Sequence, residues 1–318
     1  MTQPTNDRFL GWIPDSMPVA HRFSKEAMAT IFEIFIVHED EDYASQAAWS
    51  AFDELDGIEQ KLSRFIENSD VSEINNLSAG QVLQLGLDAF CCLRLSAEIY
   101  DQTNGAFDVT IGSLLDCRLA EDKTLRNPSE QEFGLARSRT GMNLLSLDEE
   151  NHTLTLSTSG VQIDLGGIGK GYAVDRMAEI LADWSICAAL ICAGRSSVLA
   201  LGSPPKTEGW PVKLTKPCNT GQILARLFLR DEAVSGSGVQ KGYHIIDPRS
   251  GSPVEDKLAA WALAPDAATA DALSTAFMIM SCDQIQNYCL RRPDTQALII
   301  LQQEDSETRQ GGILHFSL

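Results

Sequence analysis

Short β-type apolar runs and longer stretches of helical period divide most of the chain. Ala29-Thr-Ile-Phe-Glu-Ile-Phe-Ile-Val predicts a strand, and residues 43–62 predict a helix, because Ala48, Phe52, Leu55 and Leu62 share one face. A second helix is expected over 86–102, stopped by Asn104-Gly105. Beyond Phe107-Asp-Val-Thr-Ile-Gly, a polar stretch to about residue 151 reads as short strands. Residues 153–164 then read as a hairpin turning at Ser159-Gly160, leading into a helix over 172–182. Downstream, 188–191, 197–201, 210–214 and 224–229 have strand character, and 267–280 and 283–291 have helical character. A closing hairpin, 297–301 with 313–317, surrounds the acidic turn Glu304-Asp-Ser-Glu.

Strands outnumber helices and are often hairpin-joined, which predicts an α+β fold with largely antiparallel sheets. Neither a repeating period nor a low-complexity linker divides the 318 residues, so one compact unit of two halves is expected, behind an extended leader over 1–22. Hydrophobic content of 44% and charged content of 22% suit a sizeable core, but the net charge of −19 does not favour polyanions. Nucleic acid and anionic lipid are therefore excluded as general partners, and any phosphate must be held by a few local donors. No apolar run approaches the ~18–20 residues of a membrane span, and the first residues lack the basic and apolar regions of an export signal. A cytoplasmic location is the resulting expectation. The eight cysteines are scattered without metal or redox spacing and read as reduced, packed thiols.

Three segments carry candidate chemistry. Ile163-Asp-Leu-Gly-Gly-Ile-Gly-Lys-Gly-Tyr-Ala-Val-Asp places glycines and Lys170 where a strand hands over to a helix N-terminus, a favourable place for an anion. A tight turn whose glycines only permit close packing explains the same residues. The P-loop pattern fails, because Asp164 and Gly171 stand at its ends, and the dinucleotide pattern fails because Tyr172 replaces its last glycine. Asp271 and Thr275, four apart on a helix, offer oxygens suited to Mg²⁺, or Thr275 simply bonds back to the carbonyl of Asp271. Tyr243-His-Ile-Ile-Asp-Pro-Arg-Ser-Gly supplies His244 as a general base or a packed histidine, with Arg249 facing a phosphate or Asp247.

Six stretches in this order resemble the FAD:protein FMN transferases, the ApbE family. They are Met28-Ala-Thr, Leu62-Ser-Arg-Phe with 70–75, Gly105-Ala-Phe-Asp-Val-Thr-Ile-Gly, 164–175, 244–251 and 270–275. The resemblance implies a T-fold-like α+β arrangement of two related halves with flavin between them. It also implies Mg²⁺-dependent transfer of FMN from FAD to a threonine or serine of a target protein, with AMP released. On the same basis, Gly169 (carbonyl), Asp271 and Thr275 would ligate the metal, Lys170 and its loop would hold the diphosphate, and His244 would act as base. Met28 and Phe65 would pack on the flavin, Ala106, Phe107 and Asp108 would contact it, and Gly166, Tyr172 and Ile246 would line the rest.

The chain departs from the family pattern at Ala29 for glycine, at Phe65 for tyrosine, at Ala193-Gly-Arg-Ser-Ser for Gly-Gly-Asp, and at Ser235-Gly-Ser-Gly. At the last, the family has Thr-Ser-Gly followed by an acidic and an aromatic residue. Many relatives are exported, unlike the location expected here. An FAD pyrophosphatase using water as acceptor, and a non-catalytic FAD carrier or assembly factor, are the alternatives to transfer.

Overall fold

The apolar strands form one eight-stranded antiparallel sheet whose central strands are buried on both faces. The computed structural model describes residues 10–12, 20–120, 124–217, 219–242, 244–302 and 312–316. Across the sheet the strands run Ile313–Phe316, Gln296–Leu301, Lys257–Ala264, Glu232–Gly238, Ser197–Leu201, Ala189–Ala193, Thr30–Val37 and Ala20–Ala27. In Lys257–Ala264, Ala260 and Ala262 face the helices, while Ala259, Trp261 and Leu263 face a second core under the three-stranded sheet of Leu10–Trp12, Trp210–Lys216 and Asn219–Leu229. Burial on both faces explains why Ala189–Ala193 shows no polar alternation at all.

On the helical face lie Glu41–Leu62, Leu87–Gln102, Gly169–Asp183 and Ala267–Ile279. The last is alanine-rich and buried nearly all round, because it sits between the sheet and the Gly169–Asp183 helix. Their approach is so close that a Cβ on Gly171 would lie 2.1 Å from the Ala267 carbonyl oxygen. Asp175 of the first helix accepts from the Ala267 and Ala268 N–H groups at 2.7 and 2.8 Å, capping the second beside its own cap, Asp266. At the other end, the buried ammonium of Lys257 donates to the carbonyls of Met278 and Met280. Each charge complements the helix dipole at its end.

The mixed helix and antiparallel-sheet class agrees with the patterning, but several elements differ. Residues 153–164 do not form a hairpin. Thr153–Leu156 pairs with Val82–Gln84 and Leu145–Asp148, and 161–164 continues as an extended segment held by the Asn75 side chain and by backbone bonds to residues 109–112. The polar stretch contains two helices, Gly112–Arg118 and Glu130–Ser138, the second closed by a Ser129/Glu132 capping box. Lys257–Ala264 and Glu232–Gly238 are strands whose alanine, serine and glycine content hid them, since these residues carry little strand propensity. The leader contributes Leu10–Trp12 and the start of Ala20–Ala27, whereas 1–9, 13–19 and the 304–307 turn lie outside the described residues. No helix among the described residues is long and apolar enough to cross a membrane.

The hairpin joining Ala20–Ala27 to Thr30–Val37 turns in two residues, Met28 at φ 47° and Ala29 at φ 56°. Left-handed geometry at both positions is the type I′ turn that favours Asn-Gly, and it costs an L-residue roughly 1–2 kcal/mol. Ala29→Gly is therefore expected to stabilise the protein by about 1 kcal/mol, read as a higher urea midpoint at unchanged slope. A lower midpoint would mean that the alanine methyl contributes packing worth more than the strain.

Candidate functional site

The glycine segment is positioned from its first residue. Asn75 exchanges two hydrogen bonds with the Ile163 backbone, its Nδ2 donating to the carbonyl at 3.1 Å and its Oδ1 accepting from the N–H at 2.5 Å. Asp164 N–H donates to Val109 O, and its carboxylate then accepts from Gly166 N–H at 2.7 Å and from Arg64 at 3.0 Å. Arg64 also holds Asp116. The turn closes with the Ile168 and Gly169 N–H groups on Leu165 O, and the helix begins at Gly169 rather than at Tyr172. Gly169 and Gly171 therefore lie inside its first turn, and only Gly166 and Gly167 form the bare loop.

That first turn meets the buried carboxylate of Asp271, which is 3% exposed. Its Oδ2 accepts from Gly171 N–H at 3.1 Å and pairs with Lys170 Nζ at 3.4 Å, while Lys170 also donates to Gly166 O at 3.2 Å. Among the described residues no hydrogen bond reaches Oδ1. One turn on, Thr275 Oγ1 stands 3.5 Å from Asp271 O, too long for a useful back-bond, and 3.2 Å from Ser237 Oγ. A Cβ on Gly167 would lie 3.2 Å from both Thr275 Oγ1 and Phe107 Cε2, so the space between them exists only because residue 167 has no side chain.

These residues fit a hard cation. Oδ1 of Asp271, Oγ1 of Thr275 and a main-chain oxygen of the Gly169 turn are all oxygen donors, as Mg²⁺ prefers. No cluster of three His, Cys, Asp or Glu side chains that could hold a metal occurs among the described residues. The remaining positions would thus fall to water or phosphate oxygens.

Of the other sequence-selected residues, Tyr172 lies on the Gly169–Asp183 helix, Ile246 in the short strand Ile246–Asp247, and the rest in turns and loops. Met28, at the hairpin tip, donates its N–H to Glu59 at 2.7 Å beside a cleft of about 460 Å³ lined by Glu26, Ala27, Thr30 and Glu59. Phe65 is 86% exposed, with the Arg64 guanidinium 5.3 Å from its ring. Ala106, Phe107 and Ile246 are buried. Tyr172 donates to Asp88, which also pairs with Lys61 and Arg176, so its ring rather than its hydroxyl is available to line a pocket. Burial and the Asp88 charge push the tyrosine pKa well up.

His244 Nδ1 lies 3.1 Å from Gly242 O, and a carbonyl can only accept, so Nδ1 carries a proton. Of the two uses open to Arg249, the structure has the ion pair, Nε and Nη2 donating to Asp247 at 2.9 and 3.0 Å. Residues without an assigned role in the sequence also belong to the site. Gly167 and Asp175 sat within the glycine segment unmarked, and Ser237 was visible only as part of an altered segment.

Comparison with known proteins agrees over most of the chain. The model of the ApbE family matches residues 28–299. A protein named FAD:protein FMN transferase from Chlamydia trachomatis is 30% identical over 255 residues, covering 76% of this chain and 78% of its own. One of the same name from Salmonella typhimurium is 25% identical over 305 residues, covering 90% and 85%. The crystal structure of the ApbE protein of Thermotoga maritima superposes with a TM-score of 0.82 at 26% identity, covering 94% of this chain and 97% of that one. The apo flavinyl transferase ApbE of Pseudomonas stutzeri shares the fold, with a TM-score of 0.82 at 23% identity and 96% coverage of both chains.

Asp108 is buried and turned inward, accepting from Thr110 N–H and Oγ1 at 2.8 and 2.6 Å. Burial pushes its pKa up from 3.8 to about 6, against the lowering effect of those bonds. The folded state therefore binds more protons than the unfolded chain between these values, and this carboxyl's contribution to stability falls as pH rises through that window. Asp108→Asn retains an acceptor oxygen without the charge. Its urea midpoint should gain on the wild type from pH 3.8 to about 6 and keep a constant lead above, whereas parallel midpoints would mean that Asp108 titrates normally.

Proposed function

The chain belongs to the ApbE family and is a flavin transferase, and on that premise we propose that it moves FMN from FAD, with Mg²⁺, to a threonine or serine hydroxyl of a target protein, releasing AMP. The observation that carries the reading is the convergence of Asp271 and Thr275 on the Gly166–Gly167 loop and Lys170, at a helix start. Lys170 and the positive end of the helix that starts at Gly169 offer positive charge to a diphosphate that the rest of the acidic chain repels. Asp271, Thr275 and the Gly169 carbonyl would hold the ion. When bound, Mg²⁺ would offset charge on the phosphates and on the departing AMP.

Met28 and Phe65 pack against the isoalloxazine in this reading, and Ala106, Phe107, Asp108, Gly166, Tyr172 and Ile246 complete the pocket. His244 takes the proton of the incoming hydroxyl on Nε2 as its oxygen bonds to the FMN phosphorus. The bond from that phosphorus to the bridging oxygen breaks, and AMP leaves with the electron pair. The partner is thus a protein that presents a hydroxyl to this cleft, and neither nucleic acid nor a membrane span enters the reaction.

The test is intact-mass spectrometry of a flavodomain bearing an acceptor threonine, incubated with the protein, FAD and Mg²⁺ while AMP is quantified. An FMN-sized gain matched by AMP is expected. AMP with free FMN and no mass gain would point to pyrophosphatase activity, and neither product would leave an FAD-binding role. Asp271→Ala should reduce transfer by about 10²-fold or more, and His244→Ala should lose transfer while FAD still raises its melting temperature. Wild-type transfer by either variant would remove that residue from the mechanism.

A further inference from the structure

Beneath the Ala267–Ile279 helix, the Glu232–Gly238 strand turns Ser235 and Ser237 to the helical side, two residues apart. Their situations are opposite. Ser237 Oγ contacts Ser274 Oγ at 2.8 Å and Thr275 Oγ1 at 3.2 Å. Ser235, in register across the sheet with Ser197, is fully buried, and its Oγ has no hydrogen-bond partner among the described residues.

Proton counting fixes the direction of the Ser237 contacts. Ser274 Oγ lies 2.9 Å from Asp271 O, a carbonyl that can only accept, so the Ser274 proton goes there. Ser237 must then donate to Ser274 to fill the 2.8 Å contact, which leaves its oxygen to accept from Thr275. This arrangement puts one proton in each of the three shortest contacts and leaves empty only the 3.5 Å separation of Thr275 Oγ1 from Asp271 O. The Thr275 hydroxyl is thereby turned: its hydrogen points to the strand, and its lone pairs point away from it, on the side of the gap left by Gly167.

We propose that Ser237 is a positioning residue for the divalent cation, acting through a Thr275→Ser237→Ser274→Asp271 carbonyl chain that presents Thr275 Oγ1 as an acceptor. The chain also ties the two side-chain donors together, since it ends on the main chain of Asp271 itself. This inference rests on the metal reading of Asp271 and Thr275. It assigns a purpose to a segment in which this sequence departs from the family pattern.

The experiment is a Mn²⁺ titration in the presence of FAD, followed by loss of the free-ion electron paramagnetic resonance signal, on five proteins. Ser237→Ala is expected to weaken Mn²⁺ binding roughly three- to tenfold, the worth of one hydrogen bond. Ser237→Thr, which keeps the hydroxyl, should restore binding to within about twofold. Ser235→Ala, on the same strand and face, should bind as the wild type with an unchanged or raised melting temperature. In steady-state assays Ser237→Ala should raise the KM for Mg²⁺ by the same factor and hold kcat at saturating Mg²⁺.

Wild-type Mn²⁺ binding by Ser237→Ala, equal weakening by Ser235→Ala, or failure of Ser237→Thr to restore binding would each overturn the proposal. Asp271→Ala separates it from its premise. If that variant loses Mn²⁺ while Ser237→Ala does not, only the Ser237 role falls; if it binds as the wild type, the metal reading falls and takes this role with it.

Discussion

The constraint on which the site depends is the absence of a side chain at Gly171. Two helix starts approach until the backbone of one touches the backbone of the other, and any other residue would bring a Cβ to 2.1 Å from the Ala267 carbonyl oxygen. Asp175 locks the approach by accepting from two N–H groups of the opposing helix. Once these starts are fixed, Asp271 lies against the Gly171 amide, Lys170 reaches its carboxylate, and Thr275 faces Gly167 one turn later. The chemistry of the loop is thus a by-product of a packing contact a few residues away, which is why the glycines serve both purposes.

Charge is organised on the same principle of local compensation. A chain of net charge −19 has little general affinity for phosphates, yet this site places an ammonium and a helix N-terminus beside one deep carboxylate. Leaving a buried carboxylate without a counter-charge is costly, and Lys170 removes that cost without a bound ion. Asp88 repeats the device nearby, shared by Lys61, Arg176 and the Tyr172 hydroxyl. Acidic residues of this region are therefore held in networks rather than scattered over the surface, and each network orients an aromatic or cationic side chain.

Much of this was legible in the sequence, for identifiable reasons. Helices such as Glu41–Leu62 and strands such as Thr30–Val37 announce themselves because each has one consistent period. Lys257–Ala264 and Glu232–Gly238 were hidden because a strand packed on both sides by small residues has no polar alternation to read. For the candidate site, residue type at Asp271, Thr275 and Lys170 allowed either chemistry or ordinary packing, and only the family resemblance selected them; the fold then brings the three side by side. The site was not legible at Ser237, whose importance comes from a strand sliding under a helix 37 residues later in the chain. Likewise, nothing local to residues 161–164 says that they bond to the Asn75 side chain and to the backbone of 109–112 instead of closing a hairpin on 153–156.

The Ala267–Ile279 helix is gripped at both ends by groups that do not belong to it, a carboxylate at its amino end and the Lys257 ammonium on its final carbonyls. A rod clamped in this way has no hinge. The Asp271 carboxylate and the Thr275 hydroxyl ride on this rod one turn apart, so the clamps at its two ends also fix where these two oxygens stand relative to the sheet and to the Gly169–Asp183 helix.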